Sequence, residues 1–331
     1  MAERKFGAEV GQMLETARAF SADGPLWAVY HGHKGPRGRT RLMYAAAVGQ
    51  LERAQFLLER GAAVDESDEK GWTALVLASG YGKVAVARLL VERKGINVNA
   101  AMTDTGTTSL MLASENDHLE IARLLVECED IDVNAARTND GMTALIWASQ
   151  HGHLEIARLL VECEGIDVNA ARTNDGMTAL MWASQHGHLE IARLLVEREG
   201  IDVNAARPND GVTSLMLASQ EGYLEIARLL VEREGIVNAA MTDNGTTSLM
   251  LASQEGYLEI ARLLVECEGI DVNAARTNDG TTALMLASLQ GHLPLVLLLL
   301  QHAADKTLVN NRGETALHLA MAHPEISAAL A

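Results

Sequence analysis

The stretch GMTALIWASQHGHLEIARLLVECEGIDVNAARTND, residues 141–175, decides how the rest of the chain folds. Thr143 stands just before a short apolar run, where its hydroxyl suits it to cap a helix by accepting from an early amide. Gly152 supplies the left-handed backbone that ends that helix. The segment after it places Leu154, Ile156, Ala157, Leu159, Leu160 and Val161 on one side and Glu155, Arg158 and Glu162 on the other. That is the spacing of a second, amphipathic helix, whose charges can pair along its surface for about 0.3 kcal/mol each. Residues 166–176 then read as an extended finger closed by Asn174, Asp175 and Gly176.

The same pattern runs outward in both directions. Gly-x-Thr-x-Leu begins at Gly38, Gly71, Gly106, Gly141, Gly176, Gly211, Gly245, Gly280 and Gly313, with spacings of 33 to 35 residues. Eight full units are expected over 38–312, with a shortened ninth over 313–331 as a C-terminal cap and residues 1–37 as a helical N-terminal cap. Two helices this short cannot bury an apolar face alone, so each unit must be covered by the next. Small residues such as Ala144, Ala148 and Ser149 allow the close approach. Units 141–175 and 176–210 differ only at Ile146/Met181, Cys163/Arg198 and Thr173/Pro208. That identity points to tandem duplication, and to a surface that is itself periodic.

In these elements the chain resembles the ankyrin repeat family: Gly-x-Thr-x-Leu, then Gly-His-Leu-Glu-Ile, Leu-Leu-Val and Val-Asn-Ala. The resemblance implies an all-α solenoid of helix-turn-helix units with short hairpin fingers. It also implies protein binding along a concave face lined by fingers and first helices. Two departures stand out. The family's Thr-Pro-Leu-His becomes, for example, Thr143-Ala144-Leu145-Ile146, and only His318 survives; since that histidine helps tie fingers together in the family, looser fingers are expected. Most units also carry two extra residues around Glu164–Asp167, between second helix and finger.

Composition narrows the function classes. Residues 71–331 carry seventeen basic and thirty-four acidic side chains, the whole of the net charge of −17. An acidic surface repels phosphate backbones, so nucleic acid is not the expected partner. Lys34, Arg37, Arg39 and Arg41 form the one basic stretch and read as a solvated linker. No apolar run reaches the length of a membrane span, and the N-terminus lacks the apolar core of a secretory signal. With Cys128, Cys163 and Cys267 at equivalent positions too far apart to bridge, a cytoplasmic, monomeric protein is expected.

Signs of catalysis are lacking: no nucleophile elbow, phosphate loop or zinc spacing occurs. No enzyme activity, metal or cofactor is expected. The pairs His31/His33, His151/His153 and His186/His188 fall at the turn where the family commonly has Gly-His, and Tyr223, Tyr257 and Lys83 replace the second histidine elsewhere. The asparagines of Val-Asn-Ala, Asn99 to Asn273, read as turn residues. Trp147 and Trp182 stand where other units have leucine, either as larger core residues or as aromatic anchors for a partner. The expected partner-contacting positions are Met142, Trp147, Gln150 and His151, then Met177, Trp182, Gln185 and His186. They continue through Val212, Gln220 and Glu221 to Thr246, Gln254 and Glu255. A scaffold or adaptor fits best; an inhibitory or regulatory subunit, or a fragment of a larger kinase- or ligase-containing protein, are the alternatives. In unit 280–312, Pro294, Leu297 and Gln301 replace the outer charges, so either the shortened end folds over them or they form a second contact surface.

Overall fold

Each pair of helices is nucleated by the threonine that precedes it. The computed structural model describes residues 36–233 and 237–331; the helical cap expected before residue 36 lies outside them. The chain divides after Asp167 into two compact units. The first contains α1 (Arg41–Val48), α2 (Leu51–Glu59), α3 (Ala74–Gly80), α4 (Val84–Val91), α5 (Ser109–Glu115), α6 (Leu119–Val126), α7 (Ala144–His151) and α8 (Leu154–Val161). The second contains α9 (Ala179–His186), α10 (Leu189–Val196), α11 (Ser214–Glu221), α12 (Leu224–Glu232), α13 (Ser248–Glu255) and α14 (Leu258–Val265). It ends with α15 (Ala283–Gln290), α16 (Leu293–Gln301), α17 (Ala316–Leu319) and α18 (Pro324–Leu330). Within each unit, odd-numbered helices pack on the next odd one and even-numbered on the next even one. This is the expected all-α repeat stack, with fingers each closed by a single bridge such as Ala136 to Thr143 and Ala206 to Thr213.

The capping forecast holds locally. Thr143 accepts from the Ile146 amide at 3.3 Å, and Thr213 does the same for Met216 at 3.4 Å. Gly152 closes α7 at φ 77°. On α8, Ile156, Ala157, Leu160 and Val161 are buried, whereas Glu155, Arg158 and Glu162 face solvent. First helices of seven or eight residues are marginal in isolation; burial on the neighbouring pair stabilises them. A methionine-rich row three residues after each cap carries much of it: Met43, Val76 and Met111 in the first unit, and Met181, Met216, Met250 and Met285 in the second, are all at most 1% exposed. Each such side chain contributes about 1.5–3 kcal/mol. A serine follows, also fully buried in every first helix from α3 to α15. Its small size sets the helix spacing, and Ser114 and Ser288 satisfy their hydroxyls on the carbonyls of Leu110 and Leu284.

Polar side chains fix the register between repeats. Asn134 donates to the Gly165 carbonyl at 2.7 Å and accepts from the Asp167 amide at 2.8 Å. Asn99 does the same with Asp130 and Asp132, and Asn169, Asn238 and Asn273 repeat the bridge in the second unit. These asparagines therefore join one repeat to the next, a larger role than the turn residue expected of them. The bridge forms both in the lengthened loops and at Ala303 and Asp305, in a unit without the two extra residues.

The fingers are also tied, despite the missing histidines. Thr138 donates its amide to the Thr105 carbonyl at 2.9 Å, and Thr242 and Thr277 reach Asp210 and Asn244 at 2.8 Å. Main-chain bonds replace the side-chain link. Pro208 occupies the same place and has no N–H to give; there Asn209 reaches the Asn174 carbonyl at 3.4 Å instead. His318 bonds back to its own cap, Thr315.

Two expectations for the flanks change. Arg39 is no solvated linker residue: it is 6% exposed and pairs with buried Asp68 at 3.0 Å. Leu297 is 43% exposed, so the shortened end does not fold over it. Replacing Asn134 by alanine removes two bonds between repeats and is expected to lower stability by about 1–2 kcal/mol in urea titration. An unchanged midpoint would mean that water replaces both bonds without loss.

Candidate functional site

In the first unit, Trp147 and His151 lie one turn apart on α7, the spacing that brings side chains together on a helix. Their rings stack with centroids 5.6 Å apart and planes within 5°. His153 continues the column at 5.8 Å. The guanidinium of Arg137, delivered by the finger, sits 5.6 Å from the Trp147 ring centroid, a contact worth about 0.5–1 kcal/mol. Asp140 holds that arginine at 3.4 Å. The finger, the first helix and the following turn thus build one stacked column from four side chains.

The second unit contains its own copy. Arg172 lies 5.4 Å from the Trp182 ring, Trp182 stacks on His186 at 5.4 Å, and His186 on His188 at 6.0 Å. Nδ1 of His186 lies 3.1 Å from the Trp182 carbonyl. A carbonyl only accepts, so Nδ1 is the donor and Nε2 points away from that bond. The arginines were missed at the sequence level, although each tryptophan-bearing unit has one six residues before its capping threonine. The signal was ambiguous because Arg207 and Arg276 hold the same place beside leucine.

Each tryptophan is half-buried: the body packs inward and one edge stays open. Trp182 leans on a core cluster that includes Met177, Met181 and Val212. Four expected contact residues are corrected by burial. Met142 and Met177 are 2% exposed, Val212 6% and Thr246 2%. Each follows the finger turn, where Asp140, Asp175, Asp210 and Asn244 accept its amide and turn its side chain into the core. The surface that remains has His151, His186, Gln220, Glu221 and Glu255 exposed, with Gln150, Gln185 and Gln254 half-buried.

The second residue of each Gly-His pair has a packing role. Nε2 of His153 lies 3.2 Å from the Glu115 carbonyl, and that of His292 lies 3.2 Å from the Gln254 carbonyl. The ring covers the turn glycine of the preceding repeat so closely that a Cβ on Gly222 or Gly256 would lie 2.6 Å from Tyr257 or His292. A flat side chain suffices, which is why tyrosine substitutes. The three cysteines are free and give their Sγ–H to carbonyls one turn back. Burial, with Glu127, Glu162 and Glu266 adding to it, pushes their thiols up, away from a reactive thiolate.

Comparison with known proteins agrees with this architecture. A family model described as "Ankyrin repeats (3 copies)" matches residues 42–137, 100–172, 130–207 and 205–276. One described as "Ankyrin repeats (many copies)" matches 264–320. No curated protein matches the chain. Among the described residues, no helix is long and apolar enough to cross a membrane.

Two substitutions at the repeat turns are diagnostic. Asp117 takes the turn position at φ 57°, which costs a side-chain-bearing residue about 1 kcal/mol. It also faces His153 Nδ1 at 3.6 Å, an exposed pair of smaller worth. Asp117→Gly is expected to raise the unfolding midpoint slightly; a drop would show that the contact with His153 outweighs the strain. The neighbouring His118 is held below the ordinary histidine range, mainly by burial and also by Lys83 and His153, against the Gly80 carbonyl and Asp117. Its folded form favours the neutral ring. Stability should therefore be full above the unfolded value of about 6.5 and fall as pH drops below it. His118→Gln should flatten that acid-side slope in urea midpoints taken from pH 7.5 to 5.5, and parallel slopes would refute the assignment.

Proposed function

This chain belongs to the ankyrin repeat family, and from that we propose that it is a non-enzymatic scaffold or adaptor whose fingers and first helices bind a protein partner. Ankyrin repeats generally serve as protein–protein interaction modules. The proposal places eight repeats at 38–312 between caps at 1–37 and 313–331, in a monomer acting in the cytoplasm. The contact positions are Trp147, Gln150 and His151 in the first unit. In the second they are Trp182, Gln185, His186, Gln220, Glu221, Gln254 and Glu255.

The observation that carries this reading is the stacked column. Leucine at the equivalent places, Leu112 and Leu217, packs at 4% and 6% exposure, so the core does not require tryptophan. Trp147 and Trp182 each add an aromatic edge and set an exposed imidazole beside it in a fixed orientation. Rigid aromatic groups backed by an arginine are the side chains that dominate binding energy at interfaces.

The test uses the protein recovered with the intact chain from a cell lysate. The double variant Trp147→Leu/Trp182→Leu keeps a residue that the fold already accepts. It is expected to weaken that interaction about tenfold or more, equivalent to ~1.4 kcal/mol, without shifting the unfolding midpoint. Leu297→Arg, on the second-helix side, should leave it unchanged. The opposite pattern would move the binding site to the other face.

A further inference from the structure

Within the second unit, the exposed ends of successive first helices change character in order. His186 on α9 is followed by Glu221 on α11 and Glu255 on α13, both exposed. On α15 the place held by Gln220 and Gln254 is taken by Leu289, which is 48% exposed. It is one of six large hydrophobic side chains exposed among the described residues, and an exposed apolar group beside a polar rim marks a contact surface.

The carboxylates beside them are uncompensated. On the second helices Glu225 and Glu259 pair with Arg228 and Arg262, and in the finger Asp210 holds Arg207 at 2.9 Å. Glu221 and Glu255 instead meet, among the described residues, the neutral amides of Gln220 and Gln254. Arg276, the nearest finger arginine, donates to Gln254 at 3.1 Å. Residues 168–331 carry twenty acidic against ten basic side chains, so no surplus of cations exists to neutralise this face.

Resting on the proposed binding face, we propose that this part of it receives an extended segment bearing two basic side chains followed by an apolar one. The basic groups meet Glu221 and Glu255, and the apolar group meets Leu289. Packed helices lie about 8–10 Å apart, and a segment extended as polyproline II, with three residues per turn and about 3.1 Å per residue, returns to the same side every ~9 Å. One step along the face therefore equals three residues of the partner, a pattern of Arg-x-x-Arg-x-x-Leu. A helical segment, rising ~1.5 Å per residue, would need six or seven between contacts.

The experiment measures binding of labelled synthetic peptides to the full chain by fluorescence anisotropy at low and moderate salt. The Arg-x-x-Arg-x-x-Leu peptide should bind, more weakly as salt rises. Glu221→Lys/Glu255→Lys should lower its affinity at least tenfold, and Leu289→Gln severalfold. A peptide with glutamate for both arginines should bind the Lys variant and not the native chain. Equal or tighter binding of the glutamate peptide to the native chain, lost on Gln220→Trp, would overturn the partner chemistry while leaving the face intact. Loss of the arginine peptide with Glu225→Lys/Glu259→Lys but not with the first-helix variant would overturn the face as well. No binding of the arginine peptide to the native chain overturns the proposal.

Discussion

No helix pair in this protein can bury its own apolar side, and everything else depends on the next pair covering it at a set distance. The distance is fixed by small residues. A fully buried serine in every first helix from α3 to α15 admits the neighbouring backbone, and the methionine-rich row beside it fills what remains. Methionine suits this task because it is unbranched and adapts to irregular space. Such a core is assembled pairwise, so its stability is a sum over neighbours rather than the property of one centre.

Close stacking leaves polar groups that must be satisfied. Asparagine bridges on the loop side, main-chain bonds between fingers, and imidazole or phenol rings over the turn glycines do this work three times per repeat. Each uses a group that a single repeat would leave to solvent. Pro208 shows the cost of a lapse: where it removes one amide, a longer side-chain bond from Asn209 stands in. Asp117 shows the reverse, a strained backbone kept in register by its neighbours.

The surface left over is not uniform. Second helices pair their charges along their own length, which is a solvated arrangement. First helices and the turns after them carry the groups that lack such closure: stacked imidazoles in two repeats, then carboxylates beside neutral amides, then leucine. The repeats differ at the exposed ends of the first helices, His186, Glu221, Glu255 and Gln290. Binding specificity in such a protein resides where the repeats differ, and stability where they agree.

Periodicity alone determined the fold class, the helix starts at each threonine, the turns at each glycine and the outward face of every second helix. These are local matters of capping, backbone freedom and helical spacing, all readable within one repeat. Tertiary structure decided what depends on the neighbour. It made the Val-Asn-Ala asparagine a bridge, turned Met142, Met177, Val212 and Thr246 inward from the surface expected of them, and buried Arg39 against Asp68, twenty-nine residues away. It also set Arg137 and Arg172 over the tryptophans. The reason is physical: a side chain next to a turn can point to either side with little local preference, and only the repeat packed against it makes one of them the core.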